Sequence, residues 1–377
     1  MLHSLFGVGP LKVDFFNNVY PQAPSSPVDV PEILSYVLKN EQGSQMKYQL
    51  PVTLGNVPLN IRKIKKSYRY AHEGVFRAPQ RSLYSIHKGV ILGETGIIYD
   101  TAKRVAIDES ALEWSSVLTK NRFFTAWRLS KPAYLQGIAL SIASIGSDGG
   151  FYHFLHEAIP KLYFAKDFLP HLNYILISGE PLAWKLKWLN ALPFTLPQII
   201  WLKRDSHLQF DQIIFTNHVV TDHQPSPWSA NILRDLYALP SLKNTIPHRI
   251  IWASRGSVKL RDFKWENEFL SKYSFIENVD FSSLTVYDTM RICAEAKLII
   301  SPHGAALANL VFCSAGTKVL EIFPNTVWLP LYSRLSNSAS LHHYIIHLDF
   351  ENDNARYGLS YFIDIFDKFI ANEQART

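Results

Sequence analysis

Two histidines and a glutamate follow a pair of glycines, in a stretch whose spacing predicts a helix. The stretch is 151–162, preceded by Gly149 and Gly150, and helical spacing places His153 and Glu157 on one face. A carboxylate beside a histidine suits a general base that removes a proton from a hydroxyl. Glu157 is our first candidate for that base, and His153 is the alternative. A core histidine satisfied by a carboxylate is the competing explanation. The order H-x-x-H-E matches no common zinc motif, so we expect no metal.

A second candidate site is the turn 301–304, which lies between a short apolar run, 298–300, and a helix-compatible run, 305–312. A strand-like run follows, so the whole stretch predicts one βαβ unit. In such units anions bind where a strand ends and the next helix begins. The amide groups of Gly304 and Ala305 would be donors there, with His303 at the lip of the pocket.

Two polar residues interrupt the apolar elements around this turn. Asn309 lies within the helix-compatible run, and Glu321 lies within the strand-like run 319–323. A polar side chain in a core position needs a partner. Their presence favours a ligand site over a plain turn.

A third stretch, 253–261, follows a predicted strand and carries Arg255, Lys259 and Arg261 between glycine and serine residues. Arg255 could hold a phosphate with two donors, which a lysine cannot do. A solvated charge cluster is the alternative. No D-x-D triplet occurs in the chain, so the usual carboxylate holder of a metal on a nucleotide-sugar is missing. Arginine side chains and helix amides would then stabilise the leaving group.

Strand-like and helix-like runs alternate through most of the chain, as in parallel sheets covered on both faces. Short β-rich pieces at 89–92 and 96–99 predict an antiparallel meander. Pro31 predicts the first turn of a short helix, 31–38. We predict strands at 174–178, 199–202, 211–215, 249–252, 274–276, 298–300, 319–323 and 341–347. We predict helices from 151 and at 182–190, 226–239, 263–271, 286–296, 305–312 and 357–371.

Composition limits the class of protein. A chain of 377 residues with 47% hydrophobic and 19% charged residues suits two globular domains. The net charge of +6, without a long basic run, suits an anionic ligand or an anionic membrane surface and argues against nucleic acid. The basic cluster 62–69 is either a solvated face or a contact with anionic lipid or polymer. Two cysteines in apolar surroundings predict a reducing compartment. No apolar span or signal peptide is visible, so we expect a cytoplasmic protein.

Three motifs, in this order, resemble the family 61 glycosyltransferases, whose bacterial members are often described as capsular polysaccharide biosynthesis proteins. The motifs are 151–162, the serine–arginine loop with Asn267 and Glu268, and 301–312 with Glu321. The resemblance covers residues 85–350. It implies an α/β fold of the GT-B kind, with two Rossmann-like domains facing a cleft and a β-rich N-terminal region.

The resemblance also implies domains and a reaction. We expect an N-terminal extension at 1–80, an acceptor-side domain at 81–240, a nucleotide-sugar-binding domain at 248–350 and a C-terminal helix at 355–373. The implied reaction inverts the transferred sugar and moves it from a nucleotide-sugar to a glycan or glycolipid hydroxyl of a growing capsule or lipopolysaccharide.

Carried over to this chain, the resemblance implies that Glu157 or His153 is the base and that Glu321 reaches the ribose of the nucleotide. The implied donor-binding residues are Arg255, Lys259, Arg261, Glu268, His303, Gly304, Ala305, Asn309 and Glu321. We expect no cofactor and no metal. A peripheral contact with the inner face of the cytoplasmic membrane is expected to involve the basic cluster 62–69.

Two alternatives stay open. A nucleotide-sugar epimerase of similar fold would change the sugar without an acceptor. A non-catalytic module that binds a glycan or a nucleotide would result if His153 and Glu157 only brace the core.

Overall fold

The computed structural model describes residues 12–14, 35–56, 75–78, 80–111, 130–217, 225–237, 240–242, 244–254, 263–324, 329–349 and 358–374. The strands are β1 (Lys12–Asp14), β2 (Ser35–Glu41), β3 (Ser44–Lys47), β4 (Val52–Thr53), β5 (Val75–Ala78), β6 (Arg81–His87), β7 (Val90–Leu92), β8 (Ile97–Asp100), β9 (Val105–Ile107), β10 (Ala133–Ser141), β11 (Tyr174–Ser178), β12 (Gln198–Leu202), β13 (His207–Thr216), β14 (Arg249–Ala253), β15 (Glu277–Val279), β16 (Ala296–Pro302), β17 (Lys318–Pro324) and β18 (His342–Leu348).

The helical segments are α1 (Asp108–Ala111), α2 (Phe151–His153), α3 (Phe154–Ala158), α4 (Ile159–Phe164), α5 (Lys166–His171), α6 (Ala183–Asn190), α7 (Pro227–Leu236), α8 (Pro240–Leu242), α9 (Glu266–Lys272), α10 (Val286–Glu295), α11 (Ala305–Phe312), α12 (Leu331–Ser338) and α13 (Leu359–Gln374). Of these, α3 is a π-helical turn, and α5, α8 and α11 are 3₁₀-helical. Within the described ranges, no helix is long and apolar enough to cross a membrane.

The chain divides into two compact units. Unit 1 comprises residues 1–46, 77–224 and 231–237, and unit 2 comprises residues 47–76, 225–230 and 238–377. Both units combine sheets with helices, so the fold is α/β as predicted.

Unit 1 contains a ten-stranded mixed sheet. Its parallel part has the order β13-β10-β11-β12. The chain passes from β10 to β11 and β12 on one side and then places β13 on the other side, so the winding reverses between β10 and β13. The predicted meander is confirmed, because β7, β8 and β9 pair antiparallel in sequence and β7 pairs antiparallel with β13.

Buried apolar residues explain why these strands form the centre of unit 1. Four of the five residues of β11 are buried, which is typical of a strand covered on both faces. Leu176 packs in one cluster with Ile91, Phe210, Ile213 and Phe215. This core cluster therefore spans the parallel strands of the sheet and the antiparallel strands beside them.

Unit 2 contains a six-stranded sheet in which every pair is parallel, in the order β15-β14-β16-β17-β18-β4. The winding reverses between β14 and β16. In β16 all residues but Lys297 are buried, as expected for a central parallel strand.

Aromatic residues of α13 cover this sheet. Phe362, Phe366 and Phe369 recur at helical spacing and belong to the core cluster that contains Trp252. The rings of Phe269 and Phe362 stack with their centroids 4.5 Å apart. Burying each such side chain stabilises the fold by about 1.5–3 kcal/mol. The predicted C-terminal amphipathic helix is confirmed.

Two secondary-structure predictions are wrong. The predicted helix 31–38 is replaced, from Ser35 onward, by β2, because these residues pair antiparallel with β6. The predicted strand 274–276 is a turn, in which the Ile276 N–H donates to the Tyr273 oxygen, and β15 begins at Glu277. Phe275 is 52% exposed, so its apolar character does not reflect burial in a strand.

Candidate functional site

In unit 2 the carboxyl ends of β14 and β16 lie side by side, at the point where the winding of the sheet reverses. In open α/β sheets such a reversal opens a crevice in which ligands bind. Ser301 joins the two strand ends, because its Oγ donates to the backbone oxygen of Ala253, 3.0 Å away. β14 leads into Ser254 and β16 leads into His303. Two of the stretches singled out in the sequence therefore begin at one edge of one sheet.

The loop after β14 is only partly described. Three predicted donor-binding residues lie outside the described residues: Arg255, Lys259 and Arg261. Glu268 is exposed on α9, whereas its neighbour Glu266 reaches the end of β14. The Oγ of Ser254 donates to Oε1 of Glu266 at 2.7 Å. The sequence did not single out Glu266, because nothing in it distinguishes Glu266 from Glu268 in the same helical turn.

The turn after β16 leads into α11. The N-terminal cap, Gly304, is fully extended, and its oxygen accepts a hydrogen bond from the Leu307 N–H at 3.1 Å. Ala305 is exposed and Ala306 is half-buried. The first N–H groups of a helix have no acceptor within it, and they attract anions. Asn309 is buried and its amide donates to the Ala306 oxygen at 3.0 Å, so it braces the first turn of its own helix.

His303, Glu321, His343 and Ser336 form a buried chain of hydrogen bonds next to this turn. Nδ1 of His303 lies 2.5 Å from Oε1 of Glu321, and Nε2 of His343 lies 2.9 Å from Oε2. Nδ1 of His343 lies 2.7 Å from Oγ of Ser336. The ring of Phe323 stacks on His303 with a centroid distance of 4.7 Å. The imidazole is thus fixed by a carboxylate and by an aromatic face.

The environment of Glu321 differs from the predicted contact with a ribose. The side chain is fully buried, and both carboxylate oxygens bond to imidazole nitrogens. Burial opposes ionisation, but the neighbouring His303 and His343 outweigh it and hold the pKa of Glu321 below its ordinary value. In these surroundings Glu321 acts as a bridge between two histidines.

In unit 1 the predicted helix from Phe151 exists, with a π-helical turn in its middle. Nδ1 of His153 lies 2.8 Å from Oε1 of Glu157, as their spacing predicts. The side chain of Glu157 is fully buried, whereas that of His153 is 24% exposed. Pro160 follows in the first turn of α4, where its lack of an N–H is tolerated. π-helical turns of this kind are frequent at functional sites.

Gly146 and Gly150 line the space that the His153 ring occupies. A Cβ added at Gly146 would lie 2.7 Å from Cδ2 of His153, and one added at Gly150 would lie 3.0 Å from the same atom. Gly146 also has a φ of +81°, which side chains rarely adopt. The Gly150 N–H donates to the Gly146 oxygen at 2.8 Å. The loop that precedes the helix is therefore shaped around the imidazole.

Lys185 holds this loop against the end of β11, and sequence reasoning missed it. Its side chain is fully buried, and Nζ donates to the backbone oxygens of Asp148 at 2.6 Å and Ser178 at 2.7 Å. The ring centroids of Trp184 and Trp201 each lie 5.5 Å from Nζ. Burial lowers the pKa of Lys185 to about 8. A lysine on a helix is usually solvated, so only the fold reveals this contact.

Among the residues that the structure describes, no group of three or more His, Cys, Asp or Glu side chains is placed to hold a metal ion.

Two comparisons with known proteins bear on the class of this protein. Residues 151–320 match the model of the family described as Glycosyltransferase 61. The beta-1,2-xylosyltransferase RCN11 of Oryza sativa subsp. japonica is 34% identical over 68 residues, which are 18% of this chain and 13% of that protein. The match thus spans only a small part of that relative's length. The chain is therefore similar to the family 61 glycosyltransferases over residues 151–320 and to a xylosyltransferase over a short stretch, and both similarities support a glycosyltransferase.

Proposed function

We propose that this protein is an inverting glycosyltransferase that moves a sugar from a nucleotide-sugar to a hydroxyl of a growing cell-surface polysaccharide, such as capsule or lipopolysaccharide. The observation that carries the proposal is where the family match falls. It begins at the helix that holds His153 and Glu157, and it includes the turn at His303 and the whole of α11. His153, Glu157 and the turn at His303 therefore lie within the matched stretch, whereas Glu321 lies directly after its end.

The carboxyl edge of the unit 2 sheet supports a site for the donor diphosphate. The winding reversal between β14 and β16, the amino terminus of α11 and the imidazole of His303 meet at this edge. Backbone amides at a helix start suit phosphate oxygens. In our proposal Arg255 and Arg261 add the cationic contacts that balance the leaving diphosphate.

The unit 1 pair supports a base for the acceptor. Glu157 is fully buried, whereas His153 is partly exposed. A base must touch the acceptor hydroxyl, so we assign the proton transfer to His153 and the positioning of its ring to Glu157. The carboxylate accepts a hydrogen bond from Nδ1, which leaves proton uptake to Nε2. This reverses the order of preference drawn from the sequence, because burial could not be read there.

The proposed transfer is a single displacement. The acceptor oxygen forms a bond to the anomeric carbon while the bond from that carbon to the diphosphate oxygen breaks. The acceptor proton passes to Nε2 of His153, and the nucleoside diphosphate leaves with the bonding electrons. Attack from the face opposite to the leaving group inverts the anomeric carbon.

Further parts of the proposal concern the class of enzyme and its setting. We propose the GT-B class, which the parallel strands with a winding reversal in each unit support. We propose a metal-independent reaction in the cytoplasm, with a hexose or a pentose as the transferred sugar. The name of the rice relative makes xylose one sugar to test.

The test is an incubation of the protein with a panel of sugar nucleotides, with and without glycan acceptors, followed by mass spectrometry and by NMR, which reports the configuration of each product. We expect a new glycosidic product only when acceptor is present, with the opposite anomeric configuration from the donor. A changed sugar nucleotide without acceptor would indicate an epimerase. Binding without any conversion would indicate a non-catalytic module, and either result would contradict the proposal.

A further inference from the structure

We propose that Ser336 and His343 are positioning residues for the donor site and that they act on His303 through Glu321. The identity of the ligand, a donor diphosphate, rests on the proposed function. The hydrogen-bond chain is observed independently of that function. Ser336 lies on α12 and His343 on β18, both outside the stretch that matches the family. Neither residue was among the candidates from the sequence.

The carboxylate in the middle sets the hydrogen positions along the chain. An ionised carboxylate only accepts hydrogen bonds, so Nδ1 of His303 and Nε2 of His343 must both carry hydrogens. When His343 carries a single hydrogen, on Nε2, its Nδ1 is an acceptor, and the hydroxyl of Ser336 donates to it. In this arrangement each hydrogen bond is donated toward Glu321, from His303 on one side and from Ser336 and His343 on the other.

This order determines which atom of His303 can contact a ligand. Because Nδ1 is committed to Glu321, a contact between the ring and a diphosphate oxygen is made by Nε2. Nε2 donates to such an oxygen when the ring carries its second proton. The carboxylate of Glu321 then faces the positive ring and compensates its charge. The hydrogen-bond chain therefore makes Nε2 the atom of His303 that donates to a diphosphate oxygen.

Burial separates this role from that of a hydrolase triad, whose composition Ser336, His343 and Glu321 share. Ser336 is fully buried. A nucleophilic serine must reach its substrate, and the imidazole of such a triad binds serine through Nε2 and the carboxylate through Nδ1. In this protein Nδ1 of His343 faces the serine and Nε2 faces the carboxylate. The geometry points to orientation and not to nucleophilic attack.

The first test is a spectroscopic measurement on the ligand-free protein. Long-range ¹H–¹⁵N NMR of ¹⁵N-histidine-labelled protein reports which ring nitrogen carries hydrogen, and single substitutions assign the signals. We expect hydrogen on Nδ1 of His303 and on Nε2 of His343. Ser336→Ala should shift the Nδ1 signal of His343 and, through Glu321, the ring signals of His303.

Ser333→Ala is the matched control. Ser333 is a buried serine on the same helix, and its hydroxyl donates to the Pro330 oxygen at 2.9 Å. We expect this variant to leave both histidines unchanged. The inference is overturned if His303 carries its hydrogen on Nε2 alone, or if Ser336→Ala leaves the His303 signals where Ser333→Ala leaves them.

The second test uses UDP and GDP as probes in calorimetry. Glu321→Gln keeps the volume but removes the charge, and we expect nucleotide binding to weaken about tenfold or more, with the fold retained in circular dichroism. Unchanged affinity in a folded Glu321→Gln protein would overturn the positioning role. If neither nucleotide binds the unaltered protein, the proposed donor site is contradicted, and the NMR result still decides the hydrogen-bond chain.

Discussion

The carboxylate of Glu157 is fully buried and lies 2.8 Å from Nδ1 of His153, an imidazole that keeps 24% of its side chain exposed. A buried acceptor behind a partly exposed imidazole is the arrangement by which a carboxylate orients a histidine base. This relationship underlies our proposal that His153 is the base, and it leads to the first prediction.

We predict that His153→Ala lowers turnover by about 10²- to 10⁴-fold, because general-base catalysis typically contributes that much. Nucleotide affinity should stay the same, since the pair belongs to unit 1. Added imidazole should restore part of the turnover of His153→Ala. The measurement is the initial rate of transfer with and without imidazole.

Glu157→Ala provides the comparison. If Glu157 only orients the ring, imidazole should not restore this variant. Rescue of Glu157→Ala by formate, together with wild-type turnover in His153→Ala, would instead identify Glu157 as the base.

The glycines that contact the His153 ring lead to a second prediction. Gly150→Ala should lower turnover about tenfold, because the new Cβ would lie 2.6 Å from the Gly146 oxygen and 3.0 Å from Cδ2 of His153. Overpacking of this kind costs about 1–3 kcal/mol. Gly149→Ala is the control, since a Cβ there meets nothing within 4 Å. Equal turnover in the two variants, measured with saturating substrates, would contradict the role of Gly150 in placing the His153 ring.

The exposed start of α11 leads to a third prediction, in which stability and binding change in opposite directions. Ala305→Asp places an anion in the first turn, which stabilises a helix by about 0.3–1 kcal/mol. The same charge repels a diphosphate, so we expect UDP affinity to fall at least tenfold. Thermal unfolding and calorimetry measure the two effects.

Ala305→Ser adds a polar group without charge and should leave UDP affinity within about twofold of the original, because the amide groups stay in place. If Ala305→Asp binds UDP as tightly as Ala305→Ser does, the diphosphate does not lie at this helix start.

The buried ammonium of Lys185 leads to a fourth prediction, on pH and stability. Its pKa is about 8 in the folded protein, whereas the ordinary pKa of a lysine is 10.5. Between these values the unfolded chain holds a proton that the folded chain has released, so this lysine makes the folded state more stable as pH rises. The stability of the original protein relative to Lys185→Met should rise across this window, by at most ~3 kcal/mol.

Chemical denaturation at pH 7.5 and at pH 10 measures this change. Lys187→Met, on the same helix and only half-buried, is the control and should show no such rise. A constant difference between the original protein and Lys185→Met would show that Lys185 does not titrate in this window.

Much of the fold could be predicted from local patterns. Short apolar runs indicated the parallel strands, and the turn at 301–304 indicated where β16 ends. The prediction at 31–38 was wrong because strand pairing overrides the local helix signal, and the prediction at 274–276 was wrong because its apolar residues do not reflect burial. β2 pairs with β6, and Phe275 lies exposed in a turn.

The candidate sites could be predicted only in part. Helical spacing was sufficient to pair His153 with Glu157, and a turn after a buried strand was sufficient to locate His303 and Gly304. The partners that define these residues come from distant positions, since His343 lies 22 residues from Glu321. Lys185 lies 37 residues from Asp148.

The sequence by itself determined the class of fold, the strand ends that carry polar groups and the resemblance to family 61, because these depend on neighbours along the chain. Tertiary structure decided which carboxylate is buried, which histidine keeps access to solvent and which hydrogen-bond chain fixes His303. Burial and donor direction depend on elements that meet only after folding, and no spacing in the sequence contains that information.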